Sequence, residues 1–447
     1  MPFSEVSCTN LRRLQVYRCP KMSLPSMPHT STLTDLKVIR GDAERLLSYD
    51  GKQLVVREYG GALAYHNLDK VEDMTIAHVS HISLRDIEKF KSLTKVSVGR
   101  CDGLFPEELD GSIVFHSVKS LRLNVSHLTS SKSSSSKVLN CFPAISVLVI
   151  TSYEKCVMQL PLPSSSSLQE LTFWDCKRLV LVPVEENGGG IQRIQEDKSL
   201  LLKLTIFGCG ELFSRWPMGM GESETICPFP ASLRELDVYQ EPSIKSMGLL
   251  SNLTSLTTLR LKECSNLTVD GFNPLIAVNL IELQVHRCNT SRLAADMLSE
   301  VASQRAKLLP AGYISRLEKL IMNDMCGLLV APICNLLAPA LHTLEFCYDE
   351  STESFTEEQE KALQLLTSLQ NLSFSGCCDL QSLPQGLHRL SCLKELRVFG
   401  CREILSMPKE GLPVSLRKLE MNCGSAEIDE LIKKINRTSQ IYPSLEG

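Results

Sequence analysis

The chain has 447 residues, of which 43% are hydrophobic and 22% charged, and its formal net charge at neutral pH is −4. This composition is typical of a globular protein with a packed core, and it carries no excess of positive charge for binding nucleic acid. Length alone leaves open whether the chain holds two or three ordinary domains or one array of repeats.

The N-terminal stretch MPFSEVSCTNLRRL contains no apolar run long enough for a secretory signal. No later segment has the roughly 18 uncharged apolar residues that a membrane span needs. We therefore expect a cytoplasmic or nucleo-cytoplasmic protein that does not contact a membrane. The chain has eighteen cysteines, but secreted disulfide scaffolds are typically short chains without a sizeable core.

A short phrase, LxxLxVxxC in its fullest form, recurs along the chain. Its first apolar positions are Leu11, Leu33, Val71, Leu93, Val118, Ile145, Leu168, Leu201, Leu233, Leu256, Leu280, Leu317, Leu341, Leu369, Leu393 and Leu416. Most intervals between them are 22 to 28 residues. A period of roughly 20–29 residues with this phrase is the signature of leucine-rich repeats, so we predict about sixteen of them.

Strand alternation explains what each phrase builds. The second leucine and the valine are two residues apart, so both side chains point into the core while the residue between them points outward. Three buried aliphatic side chains, each worth roughly 1.5–3 kcal/mol, cannot offset the entropy of ordering a whole repeat. The repeats must therefore stack, which predicts an α/β leucine-rich-repeat solenoid, or horseshoe, with a parallel β-sheet on its concave face and an irregular or short-helical convex side.

We predict a single leucine-rich-repeat domain over 1–447. We expect irregular repeats over 1–140 and regular repeats over 141–423. After them, SAEIDELIKKINRT places isoleucine and leucine on one helical face. This pattern predicts a C-terminal capping helix over 425–439.

Two inserted segments have helical periodicity. The first, SRLAADMLSEVASQRAKLL, repeats Leu293, Met297 and Val301 at intervals of four. The second, TEEQEKALQLL, opens with Thr356 and with Gln359 three residues on, which is a capping-box pattern. We expect both helices on the convex side.

Cysteine closes eight of the phrases, always eight residues after the first apolar position. These residues are Cys19, Cys101, Cys176, Cys209, Cys264, Cys288, Cys377 and Cys401. The strand turns inward at this place, so a small side chain that can bond a neighbouring carbonyl fits best. We therefore expect reduced, structural thiols. The sequence contains no CxxC pair of the kind that binds metal ions.

The stretch CDLQSLPQGLHRLSCLKELRVFGCREILSMPKEGLPVSLRKLEM has Leu383-Pro384 after a cysteine turn and the form LPxSLxxLxM from Leu412 to Met421. In these features it resembles the leucine-rich-repeat region of plant NB-ARC-LRR intracellular immune receptors, the disease-resistance proteins. FTEEQEKALQLLTSLQ is similar to their cereal members. The resemblance implies a protein-recognition module of innate immunity that senses a pathogen effector or a guarded host protein and regulates an NB-ARC domain in cis or in trans. The GxxxxGK[ST] stretch of such a switch is absent from this chain.

Outward strand positions are the candidates for binding. The site six residues after the first apolar position holds Tyr17, Trp174, Phe207, Tyr239 and Phe399, with His286. Aromatic side chains are favoured interface anchors, so we predict that Trp174, Phe207 and Tyr239 stand side by side and bind protein. The alternative is that these rings only cover the edges of their own turns.

A mixed-charge row lies two residues before the aromatic positions. Its members are Arg122, Asp237, Arg260, Glu345, Arg397 and Glu420. We take Arg260 and Arg397 as candidate protein-binding residues, because charges on such a row can select a partner. A merely solvated face is the alternative for this row.

The sequence gives little support for catalysis. Nine histidines occur without HExxH, and GxSxG is missing, so we expect no enzyme activity, no cofactor and no metal. A second class of function stays open, the substrate adaptor of a ubiquitin ligase, because LTTLRLKECSNLTVDGF over 256–272 resembles the repeats of F-box proteins. The other repeats instead continue into a Leu-Pro pair, and no F-box-like helices precede them.

Overall fold

The computed structural model describes residues 12–19, 35–39, 52–58, 70–79, 82–101, 104, 113–124, 126, 135–152, 157–163, 165–183, 200–217, 227–289, 291–308, 313–404 and 406–422. The chain forms two compact units, Met1–Trp216 and Pro217–Gly447. Each unit is a leucine-rich-repeat solenoid built on parallel strands. The predicted capping helix over 425–439 lies outside the described residues, and the single domain over 1–447 stays a prediction.

The strands of the first unit follow one another in sequence order, all parallel and in register. They are β1 Arg13–Tyr17, β2 Asp35–Ile39, β3 Gln53–Arg57, β4 Asp73–Ala77, β5 Lys95–Val98, β6 Ser120–Asn124, β7 Val147–Thr151, β9 Glu170–Trp174 and β11 Lys203–Phe207. A separate parallel pair consists of β8 Met158–Pro161 and β10 Leu179–Val182. The helices described in this unit are α1 Leu84–Ile87 and α2 Ser135–Asn140.

Strand β3 is an addition to the predicted registers. Its repeat has Gly51 where the phrase begins with an aliphatic residue in the others, but Leu54 and Val56 follow at the expected spacing. Both of these side chains are fully buried. Two inward side chains are therefore enough to continue the sheet, because the strands on either side supply the rest of the core.

The second unit repeats the same arrangement. Its strands are β12 Glu235–Tyr239, β13 Thr258–Lys262, β14 Glu282–His286, β15 Lys319–Met322, β16 Thr343–Cys347, β17 Asn371–Ser375, β18 Glu395–Phe399 and β19 Lys418–Asn422. Its helices are α3 Leu293–Leu308, α4 Met325–Leu328, α5 Ala331–Leu337 and α6 Glu357–Gln364, with 3-10 helices at Met247–Leu250, Pro274–Val278 and Gln385–Arg389. None of the helices in the described residues combines the length and the apolar character needed to cross a bilayer.

Both predicted helical insertions are confirmed, as α3 and α6. In α6, the Thr356 hydroxyl accepts a hydrogen bond from the Gln359 amide, and the Gln359 side chain accepts one from the Thr356 amide. This reciprocal pair satisfies two amides that have no partner inside the helix. The helix therefore begins where the sequence pattern places it.

Thiols tie successive repeats together. The Sγ atoms of Cys176, Cys209, Cys288 and Cys377 lie 3.4 to 3.8 Å from carbonyl oxygens of the preceding repeat. The structural role predicted for these cysteines is thus confirmed. In the repeat that begins at Leu341 the same place is taken by Asp349, which is fully buried.

A left-handed backbone turn precedes this inward position in most described repeats. The non-glycine residues at the turn are Arg18, Glu58, His78, Asp175, Gln240, Glu263, Arg287 and Tyr348, with φ from 51° to 58°. Glycine takes the same place at Gly208, Gly376 and Gly400. The turn bends the chain from the strand into the core and leaves its own side chain at the C-terminal ends of the strands.

Candidate recognition surfaces

In the first unit, the outward faces of three adjacent strands begin with Val147, Glu170 and Lys203, and their later outward positions are apolar or hydroxylic. The middle positions of β7, β9 and β11 are Val149, Thr172 and Thr205, which pair in register and are partly exposed. At the ends of β9 and β11 stand Trp174 and Phe207, which also pair in register. We call these five residues the aromatic patch.

The two rings of the aromatic patch stack on each other. The centroids of Trp174 and Phe207 are 4.3 Å apart and their planes are inclined by 10°. The indole of Trp174 keeps 46% of its surface exposed despite this contact. Exposed, mutually ordered aromatic rings can bury area against a partner at low cost in side-chain entropy.

Tyr239, the third of the aromatic residues predicted to stand side by side, has a different environment. Tyr239 lies in the second unit, and its hydroxyl donates a hydrogen bond to Glu263 Oε1 at 3.3 Å. Burial, followed by the charge of Glu263, raises the pKa of Tyr239. The role of Tyr239 in binding protein stays a prediction, as do the roles of Trp174 and Phe207.

Tyr17 is the candidate of the first described strand. Its ring is 57% exposed, and the guanidinium of Arg18 lies 5.3 Å from the ring centroid. A cation over an aromatic face stabilises the ring in one orientation. This contact is local, because Arg18 is the next residue in the chain.

The sheet face of the second unit is dominated by ion pairs instead. Arg260 donates two hydrogen bonds to Glu282, at 3.1 and 2.9 Å, and lies 3.9 Å from Asp237. Lys319 adds a contact of 3.1 Å to Glu282. Burial alone would raise the pKa of Glu282, but the hydrogen bonds from Arg260 and Lys319 lower it below its ordinary value. The charge of Arg260 is therefore largely compensated within the protein.

A second network surrounds Arg397. Its guanidinium contacts Glu395 at 2.9 Å and Glu420 at 3.0 Å. Lys418 contacts the same two carboxylates, at 2.9 and 2.8 Å. The two cations and two carboxylates of this network balance each other, so it presents little net charge to a partner. Next to it, Phe399 is 39% exposed.

The strand ends of the second unit bring together side chains that are distant in sequence. We call Glu263, His286, Arg287 and Tyr348, with Lys262, the edge cluster. The guanidinium of Arg287 lies 5.2 Å from the ring centroid of Tyr348 and 3.3 Å from Glu263 Oε1. The rings of His286 and Tyr348 are 6.3 Å apart.

Burial, followed by the positive charges of Lys262 and Arg287, lowers the pKa of His286. This shift favours the neutral form of the His286 imidazole. Among the described side chains, no group of three or more His, Cys, Asp or Glu residues is arranged to hold a metal ion.

Sequence reasoning missed Tyr348, the exposed ring at the centre of the edge cluster. The sequence-based prediction considered outward strand positions, whereas Tyr348 occupies the left-handed turn that follows strand β16. The available signal was its place seven residues after Leu341, where most other repeats have glycine or a polar, non-aromatic side chain such as Asp175 or Gln240. A bulky residue at a left-handed turn is uncommon, so this position was informative.

The ring of Tyr348 lies directly over Gly376. A Cβ atom added at Gly376 would be 2.9 Å from Tyr348 Cδ1, closer than real contacts allow. Gly400 has the same left-handed backbone, with φ of 67° against 66°, but its added Cβ would meet no atom closer than 3.6 Å. Gly376 and Gly400 therefore share a backbone conformation and differ in the contact with Tyr348, so Gly400 serves as the control for Gly376.

We expect Gly376→Ala to lower the free energy of unfolding by about 1 kcal/mol more than Gly400→Ala. Both variants place a side chain in a left-handed turn, which costs roughly 1–2 kcal/mol, but only Gly376→Ala must displace the Tyr348 ring. Urea unfolding followed by circular dichroism measures the difference. Equal losses for the two variants would show that the position of the Tyr348 ring does not require a glycine at position 376.

Comparisons with known proteins found one distant relative by sequence and several leucine-rich-repeat structures. No family model matches the chain. Disease resistance protein RPS6 from Arabidopsis thaliana is 25% identical over 245 residues, which is 48% of this chain and 21% of that protein, and a second match carries the same name and figures. The chain thus spans about a fifth of the length of these relatives.

Three solved structures that match the chain come from bacteria. An internalin from Listeria monocytogenes is 12% identical, with 86% of each chain covered and a TM-score of 0.36. A leucine-rich-repeat protein of Leptospira interrogans is 14% identical, with 84% of this chain and 91% of the other covered and a TM-score of 0.34. The functional domain of a second Listeria internalin, described as including a cysteine ladder, is 16% identical, with 80% and 64% covered and a TM-score of 0.34.

Proposed function

We propose that this chain is a non-enzymatic protein-recognition module of plant innate immunity. It would bind a pathogen effector or a guarded host protein through the outward sheet face and regulate an NB-ARC domain, in cis or in trans, inside the cell. The observation that carries the proposal is the aromatic patch, an uncharged surface with a stacked and exposed ring pair. The distant similarity to a plant disease-resistance protein supports the immune context.

The contrast between the two sheet faces favours the aromatic patch as the main anchor. In the second unit, Arg260 and Arg397 are held by carboxylates at about hydrogen-bond distance. A partner would have to break these pairs to use the charges, and exposed ion pairs contribute little to affinity. In the aromatic patch, a partner gains contact area against exposed rings and needs to break no ion pair like those of Arg260 and Arg397.

We expect the double variant Trp174→Ala, Phe207→Ala to weaken partner binding by at least about thirtyfold, since central aromatic anchors typically contribute 2 kcal/mol or more. The control is Val157→Ala, an exposed side chain of the same unit that lies outside the aromatic patch. The tagged chain would be expressed in plant cells, its partner identified by mass spectrometry, and the dissociation constant measured with both purified proteins.

An NB-ARC protein, a guarded host protein or a pathogen effector that binds wild type and control but not the double variant supports the proposal. A ubiquitin-ligase subunit as the partner would favour the F-box-type adaptor instead. Equal binding by the double variant would remove the aromatic patch from the interface. Thermal unfolding of both variants is measured in parallel, because a large loss of stability would mean that the rings only cover their own turns.

A further inference from the structure

Three nitrogen-bearing side chains converge at the ends of strands β13 and β14. Lys262 and His286 are direct neighbours in register, and Arg287 follows His286 at the left-handed turn. Lys262 and Arg287 are close enough to His286 for their charges to act on its imidazole. The ring of Tyr348 closes one side, under the guanidinium of Arg287.

The charges of these side chains are only partly compensated. Within the described residues, the ammonium of Lys262 has no carboxylate at ion-pair distance, whereas Lys319 and Lys418 each contact one within 3.1 Å. Arg287 makes a single contact of 3.3 Å to Glu263, and its side chain remains 55% exposed. The cations at the strand ends thus differ from those on the sheet face.

His286 can add a hydrogen-bond donor. Its Nδ1 atom is enclosed by the protein without a hydrogen-bond partner. A proton at that position would be a buried donor without an acceptor, so the neutral imidazole is expected to carry its proton on Nε2. The charged groups that act on the ring are Lys262 and Glu263 on the β13 side and Arg287, which follows His286 at the turn.

We propose that Lys262, His286 and Arg287 form an oxyanion site, which takes a carboxylate or phosphate group carried by a partner protein. Two flexible cations and a neutral N–H donor suit an anionic group with several acceptor oxygens. The Tyr348 ring would pack beside the group and limit the approach of water. The inference rests on the proposed function only in making a protein the carrier, since anion binding itself needs no partner.

The test uses the whole chain labelled with carbon-13 in its histidine rings. The His286 signals are assigned with His286→Gln. Inorganic phosphate is titrated first, followed by short peptides of one sequence that carry phosphoserine, glutamate or serine at a single position. We expect the His286 signals to move with phosphate and with at least one of the anionic peptides, but not with the serine peptide. A bound anion also favours the imidazolium, so the midpoint of the His286 pH titration should rise in its presence.

Lys262→Ala and Arg287→Ala are each expected to weaken binding about tenfold, as for loss of a hydrogen bond to a charged group. Lys319→Ala is the control, because that cation already has its own carboxylate. If Lys262→Ala lowers the unfolding temperature, Lys262→Met retains the aliphatic stem and removes only the charge.

Binding of the phosphoserine peptide alone assigns a phosphorylated partner, and binding of both anionic peptides assigns an acidic one. Binding of phosphate with neither peptide overturns the partner-protein site, and unchanged binding in the Lys262 and Arg287 variants overturns the assigned residues. These results do not depend on the aromatic patch. Anion binding that persists while the Trp174→Ala, Phe207→Ala variant still holds its partner would refute the proposed anchor and leave this site standing.

Discussion

Replacing Phe374 with alanine is expected to lower the free energy of unfolding by about 3–5 kcal/mol, the range found for fully buried aromatic side chains. Phe374 is completely buried on the inward face of β17. Its ring lies 5.7 Å from that of Phe346 and 6.2 Å, edge-on, from that of Phe355. The variant would therefore leave a cavity shared by adjacent repeats.

Phe399→Ala is the matched control for this prediction. Phe399 belongs to the next strand, but its side chain points outward, so its loss should cost no more than about 1 kcal/mol. Guanidinium unfolding of the whole chain, followed by circular dichroism, measures both values. Similar losses for the two phenylalanines would contradict the inward assignment of Phe374.

A second large effect is expected at Asp349. Its Oδ2 accepts a hydrogen bond from the Met325 amide at 2.7 Å, and its Oδ1 accepts bonds from the amides of Ser351 and Thr352, both at 2.9 Å. Asp349→Ala would leave three amides without their acceptor, so we expect a loss of roughly 3–5 kcal/mol of unfolding free energy. The measurement is equilibrium unfolding in urea.

The variant Asp349→Asn tests the roles of the two carboxylate oxygens separately. It retains an oxygen for Ser351 and Thr352 but turns an NH₂ group toward the Met325 amide, so its loss should be smaller than that of Asp349→Ala. Glu350→Ala, at the next and exposed position, should change stability by less than about 0.5 kcal/mol. An Asp349→Ala variant as stable as Glu350→Ala would mean that water replaces the carboxylate at no cost.

The role of Asp349 illustrates what the repeat pattern hides. The repeat that begins at Leu317 has a shorter strand, Lys319–Met322, and at the place of the left-handed turn it has Asp324, with φ of −134°, which caps helix α4. The Met325 amide is consequently left facing the next repeat, where a carboxylate stands in place of the usual thiol. Periodicity predicts each strand, but it does not show how a deviation in one repeat is compensated in the next.

The inward residues were predictable because their burial follows from strand alternation. Leu259 and Leu261 are buried on either side of the outward Arg260, as the phrase requires. The α3 and α6 helices were predictable for a similar reason, since their periodicity and capping residues are local. These features need no knowledge of which repeats are neighbours.

The partners of outward residues were harder to predict, because they come from adjacent repeats. Arg260 bonds Glu282, which is 22 residues away in the chain and two positions earlier in the repeat phrase. Writing the strands side by side in register would have found this pair. The contact of Arg287 with Tyr348 joins two left-handed turns across the intervening strand β15, and strand alternation alone does not describe it.

The bonds from cysteine thiols to carbonyls of the preceding repeat give several repeats a chemical reporter of their own. Sulfur atoms such as those of Cys176, Cys209 and Cys377 are fully shielded while neighbouring coils stay joined. Each becomes open to alkylation only when its own junction separates. The order in which an alkylating reagent labels them during slow unfolding would trace how the solenoid unravels, junction by junction, without any introduced probe.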